Sequence, residues 1–89
     1  MTGQNSMTPA ELIERRKAFG YNQTQMADVL GLSLRGYQKI EAGDGEVRRV
    51  YELAIAQIGL ELAIEQNNPM LAPQSARKMA LDFARMVAG

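Results

Sequence analysis

Seven of the ten basic residues fall into three clusters, and these hold most of the chain's capacity for chemistry: Arg15-Arg16-Lys17, Arg35 with Lys39, and Arg48-Arg49. Guanidinium and ammonium groups in such sets hold anions through charge-assisted hydrogen bonds. Covalent and acid–base chemistry has less to work with. The 89 residues include no Cys and no His. A thiolate nucleophile, a disulfide framework, a Cys-type zinc site and the commonest general base are therefore all missing. The remaining carboxylates, amines and hydroxyls form no catalytic set. The six Met residues make no metal site, since thioethers alone suit few metals. The expectation is a binding protein and not an enzyme, with no cofactor and no metal. Its formal net charge is zero, unlike a generically basic nucleic-acid binder, so any anion site must be local. Where the fold puts the three clusters decides the matter.

Length allows one domain and a short appendage, with a modest core that needs no metal or disulfide. The longest apolar stretch, Leu53 to Ile64, is broken by Gln57, Gly59 and Glu61, so no segment is expected to span a membrane. Residues 1–7 are polar, lack the basic-then-apolar order of a signal peptide, and are expected to be a flexible N-terminus in a cytoplasmic protein.

Apolar residues recur at three- and four-residue spacing throughout, which predicts an all-α chain. Thr8-Pro9-Ala10-Glu11 has the pattern of a capping box and opens a first helix that stops near Gly20. Its apolar face is Leu12, Ile13 and Phe19, with Arg16 in the middle. A charge at such a position is costly unless paired. Asn22 caps a second helix, Gln23 to Leu30, with Met26, Ala27 and Leu30 inward. Gly31 suits a left-handed residue after it. Ser33 caps a third helix, Leu34 to Ala42, which buries Tyr37 and Ile40 and carries Glu41 at the margin. Glu41 is the natural partner for Arg16, a structural ion pair.

Asp44 to Glu46 reads as a polar turn. A fourth helix is expected from Val47 to Ile58, with Val47, Val50, Ala54 and Ile58 inward; Gly59 either ends it or is carried through toward Gln66. Asn67-Asn68-Pro69 breaks the chain. Ser75 caps a last helix to Val87, with Ala76, Met79, Ala80, Phe83 and Val87 as one stripe and Arg77, Lys78, Asp82 and Arg85 opposite.

Two short helices joined by a tight turn containing Gly form the skeleton of a helix-turn-helix. With Met26, Leu32, Tyr37 and Ile40 filling the wedge between them, Leu34, Arg35, Gln38 and Lys39 point outward. Arg35 and Lys39 lie one turn apart on one side, the side that could enter a major groove.

The stretch from Gly20 to Gly43, with Gln23, Ala27, Leu30, Gly31, Ser33, Ile40, Glu41 and Gly43 in register, resembles the Cro/phage-repressor (XRE) family of helix-turn-helix proteins. The resemblance covers about Thr8 to Leu62. It implies a compact four- to five-helix, lambda-repressor-like domain at residues 8–66, with 67–89 as linker and extra C-terminal helix. It also implies a sequence-specific regulator of transcription that binds double-stranded DNA, reading the major groove with helix 34–42. Leu34, Arg35, Gly36 and Lys39 fall on the family's base-reading positions, with Gln38 beside them facing the backbone or an adenine. Gln23, at the first turn of its helix, matches the family's phosphate clamp, and Arg48 and Arg49 match a second phosphate-gripping region. Ser33 and Tyr37 complete the expected phosphate set. Arg35 is the candidate for a bidentate guanine contact, worth roughly 1–3 kcal/mol of discrimination.

Departures matter too. Tyr37 replaces a small aliphatic residue, and Ala42 stands where the family usually has a base. Gly36 inside a helix costs roughly 1 kcal/mol against Ala. Either the helix backbone comes close to the DNA there, or nothing at the site matters. The last helix needs cover: it either folds back or pairs with a second copy. The expected form is a repressor acting as a homodimer on a palindrome with half-sites about 34–36 Å apart. The rival reading is an antitoxin-type protein-binding module that neutralises a toxin and autoregulates its operon.

Overall fold

The computed structural model describes residues 7–43 and 46–88. Five helices account for most of them: α1 (Pro9–Phe19), α2 (Gln23–Val29), α3 (Leu34–Ala42), α4 (Arg49–Glu65) and α5 (Gln74–Ala88), with one 3₁₀ turn at Pro69–Leu71. The chain divides into two compact units, Met1–Ala54 and Ile55–Gly89, with the division inside α4.

In the first unit the local signals act as their chemistry dictates. Thr8 caps α1 and exchanges reciprocal hydrogen bonds with Glu11, and Gly20 closes the helix at φ 79°. Asn22 caps α2 in the same way, with Gln25 as the reciprocal partner. α3 packs on both α1 and α2. Leu12, Phe19, Met26, Ala27, Tyr37 and Val47 are buried there, and Tyr37 and Met26 are wholly inaccessible. Ile13, Leu30 and Ile40 are only half-buried. Met1 to Ser6 and the Asp44-Gly45 part of the expected polar turn lie outside the described residues. Met7 is held by two hydrogen bonds through its backbone. Its N–H donates to Glu52 Oε2 at 2.7 Å and its carbonyl accepts from Val47 N at 2.8 Å, which ties it to the start of α4.

The fourth helix differs from expectation in frame. It starts at Arg49, so Val47 is buried but precedes it. It continues through Gly59 to Glu65, and its buried positions are Ile55, Gly59 and Ala63, four apart. Val50 lies five residues before Ile55, well round the helix, and is 55 % exposed. Gly59 is there for space. A Cβ on it would come within 2.8 Å of both the Leu71 carbonyl oxygen and Pro73 Cδ.

Beyond Gly59, Ala63, Leu71 and Ala72 form a small cluster with Leu60 and Leu62. Asn67, at φ 53°, turns the chain after α4. The last helix begins at Gln74, so Ser75 is inside its first turn rather than capping it, and Arg77 N donates to Pro73 O at 2.9 Å. Of the expected inward stripe only Ala76 is buried; Met79, Phe83 and Val87 are 71, 65 and 71 % exposed. Arg77 is half-buried, its Nη1 3.8 Å from Met70 Sδ, so it does not share the solvent face with Lys78, Asp82 and Arg85. Those three form ion pairs through Asp82.

Candidate nucleic-acid interface

The turn between α2 and α3 is built by backbone hydrogen bonds. Gly31 N donates to Asp28 O at 3.1 Å and Leu32 N to Ala27 O at 2.8 Å. Gly31 takes φ 74°, a left-handed conformation that glycine adopts without strain. Ser33 then caps α3, its Oγ accepting from Gly36 N at 3.0 Å. With Tyr37 wholly buried, the opposite face of α3 is outward: Leu34 is 41 % exposed, and Arg35, Gln38 and Lys39 are exposed around it. The four expected side chains thus share one surface.

A Cβ on Gly36 would sit 3.1 Å from Ser33 Oγ, a tight contact; the equivalent positions behind the Thr8 and Asn22 caps carry Glu11 and Gln25, so the cap alone does not call for glycine.

Behind this face lies a polar hub. Arg16 Nε reaches Glu41 Oε2 at 2.7 Å, with side chains 13 and 6 % exposed. Arg16 Nη1 also donates to Tyr21 O at 3.1 Å, so the guanidinium joins α1, the loop after it and α3. Tyr37 donates its hydroxyl to Glu41 Oε2, and Gln23 Nε2 donates to Oε1 at 2.8 Å. Burial alone would raise the Glu41 pKa, but the hydrogen bonds from Arg16, Tyr37 and Gln23 outweigh it and hold the carboxyl below its usual range. Burial and the bond to Glu41 push the Tyr37 phenol well above its usual range. The bond to Glu41 raises Arg16, against the opposing effect of desolvation.

The hub corrects one expectation. Tyr37 has no exposed surface and its hydroxyl is already given to Glu41, so it is not placed to touch phosphate. The four-residue spacing of Tyr37 and Glu41 carries the signal for that bond. Gln38 Nε2 donating to Gln23 Oε1 at 3.1 Å links the outward face to the hub, and no sequence pattern announces it.

Past the described end of α3, Arg48 and Arg49 are both exposed. Arg48 lies 5.8 Å from the Tyr51 ring centroid, a cation–π distance. Arg49 pairs with Glu52 at 3.0 Å, but its side chain is 76 % exposed. Such a surface pair is weak and easily exchanged for a phosphate. Among the described residues no cluster of acidic side chains could hold a metal ion, and no helix is long and apolar enough to cross a membrane.

A helix-turn-helix family model matches residues 12–55, the span from α1 into α4. Residues 12–55 therefore carry a helix-turn-helix domain of the XRE type. It is similar to the cryptic phage CTXphi transcriptional repressor RstR of Vibrio cholerae serotype O1, with 40 % identity over 55 residues. That match covers 62 % of the chain and 48 % of the relative, so the chain spans about half the length of the curated relative it matches. No solved structure matches the chain significantly.

Proposed function

We propose that this helix-turn-helix chain is a regulator of transcription, acting as a repressor, that binds double-stranded DNA in a sequence-specific manner. The single observation that carries the reading is the outward face of α3. Leu34, Arg35 and Lys39 stand clear of the core on a helix rigidly capped at Ser33 and locked to α1 and α2 through Glu41. That is the geometry a major groove accepts. Arg35 is assigned to a guanine edge, Lys39 to guanine or phosphate, and Leu34 to a thymine methyl. Gly36 lets this surface come close. Gln23, Ser33, Arg48 and Arg49 are assigned to phosphate; Ser33 Oγ accepts from Gly36 and keeps its own proton to donate. Occluding a promoter is the simplest action for a domain of this kind, and the name of the similar phage protein agrees with it.

The active form is a homodimer joined through α5. Met79, Phe83, Met86 and Val87 are each more than 60 % exposed on that helix, an apolar stripe of the kind that marks an interaction surface. One recognition helix reads only a few base pairs, and a two-fold pair reads a palindrome.

Selection from a pool of random duplexes tests the proposal. The expected product is a two-fold symmetric motif with half-sites one helical turn, or a multiple, apart. No enrichment above non-specific binding at physiological salt would contradict it.

A further inference from the structure

A carboxylate only accepts hydrogen bonds, and this sets the polarity of two side chains beyond Glu41. Because Glu41 Oε1 takes Gln23 Nε2 at 2.8 Å, Gln23 turns its NH₂ toward the carboxylate and its carbonyl away. That carbonyl accepts from Gln38 Nε2 at 3.1 Å. Rotating either amide by a half-turn would set oxygen against oxygen. The orientation of both therefore follows from Glu41, itself held by Arg16 and Tyr37. A primary amide has two N–H groups, and each of these spends one on its link. Gln23 and Gln38 each keep one N–H for a partner outside the protein.

Placement selects the partner. Gln38 is exposed on α3 but tethered to the first turn of α2. In a docked helix-turn-helix the second helix enters the groove while the first crosses the sugar–phosphate backbone. A side chain tied to the first helix is held toward that backbone and away from the base edges. Phosphate oxygens only accept, which suits the N–H groups left over.

We infer that Gln23 and Gln38 act together as a neutral two-amide clamp on one DNA phosphate, with Gln38 contacting backbone instead of reading a base. The inference rests on the DNA-binding reading above and deepens it.

The test measures affinity of the full chain for a panel of duplexes varied one base pair at a time, over a range of salt. The proteins are the parent, Gln38→Ala, Gln23→Met and the double variant, each checked for folding by circular dichroism. Either single change is expected to weaken binding about tenfold on every duplex, the loss of one hydrogen bond to a charged acceptor. Base preferences stay unchanged, and so does the salt slope, because no charge is removed. The double variant is little worse than either single one, since half a clamp holds poorly. Loss of preference at a single A·T pair in Gln38→Ala would overturn the inference and make Gln38 a base reader. Unchanged affinity, or fully additive losses, would overturn it as well. A parent protein with no sequence preference, still weakened by Gln38→Ala, would support the clamp while sinking the regulator reading.

Discussion

Alanine at Gly59 separates two opposing effects by sign. Gly59 lies within α4, where replacing Gly by Ala normally stabilises by about 1 kcal/mol. Here the added Cβ would stand 2.8 Å from the Leu71 carbonyl oxygen and 2.8 Å from Pro73 Cδ, and 3.4 Å from Ala72 Cα. Neither of the two close neighbours is the free end of a flexible side chain. One is backbone and the other a ring atom, so the segment after the 3₁₀ turn must shift. Overpacking of this kind costs about 1–3 kcal/mol. Set against the propensity gain, the net change is a destabilisation of about 1 kcal/mol. Urea unfolding followed by circular dichroism reads it directly. For a small domain whose slope is about 1 kcal/mol per molar, the midpoint should fall by about 1 M. A midpoint that rises by a similar amount would mean that α4 does not lie against residues 71–73 as described, and the reasoning would fail.

Tyr37→Phe removes one donor from a carboxylate that keeps Arg16 and Gln23, and should cost about 1–2 kcal/mol. The same change should raise the Glu41 pKa, seen by NMR titration of its side-chain carbonyl. In the parent protein Glu41 binds its proton less readily folded than unfolded, so its stabilising contribution is present above the ordinary carboxylate pKa and disappears as pH falls through the lower folded value. Tyr37 has the opposite sign: its phenol is held neutral, so stability should decline as pH rises above about 10. Denaturation midpoints measured across pH should show both limbs; a flat profile at either end would count against the hub. Arg48→Ala and Arg49→Ala should each reduce the slope of log affinity against log salt by about 0.9, measured by fluorescence anisotropy. Phe83→Glu should convert dimer to monomer in sedimentation equilibrium without unfolding the protein, because Phe83 is 65 % exposed. A dimer that persists would place its interface elsewhere.

Much of the first unit is legible in the residues because its signals are local. Thr8, Asn22 and Ser33 are caps whose side chains act within three residues, and Gly20 and Gly31 take the left-handed conformations their positions require. The Arg16–Glu41 pair is readable across 25 residues for a different reason: a charge on an apolar helix face demands a partner. Legibility fails where tertiary geometry decides. Val50 and Ile55 are equally apolar, and only the starting frame of α4 makes one exposed and the other buried. Ser75 looks like a cap, yet the helix begins one residue before it. Gly59 reads as a weak point of its helix, and the atoms that explain it, the Leu71 carbonyl oxygen and Pro73 Cδ, become visible only in three dimensions. The bond from Gln38 to Gln23 joins two exposed-looking amides on different helices, a link no periodicity encodes.

The most direct test of the central claim is Arg35→Ala on the duplex selected by the parent protein, comparing affinity for each base at every position. Reading by α3 requires that preference for guanine at one position per half-site fall by about tenfold or more, while preferences elsewhere persist. If affinity falls equally for all four bases, Arg35 grips phosphate and the outward face of α3 is not the reading surface.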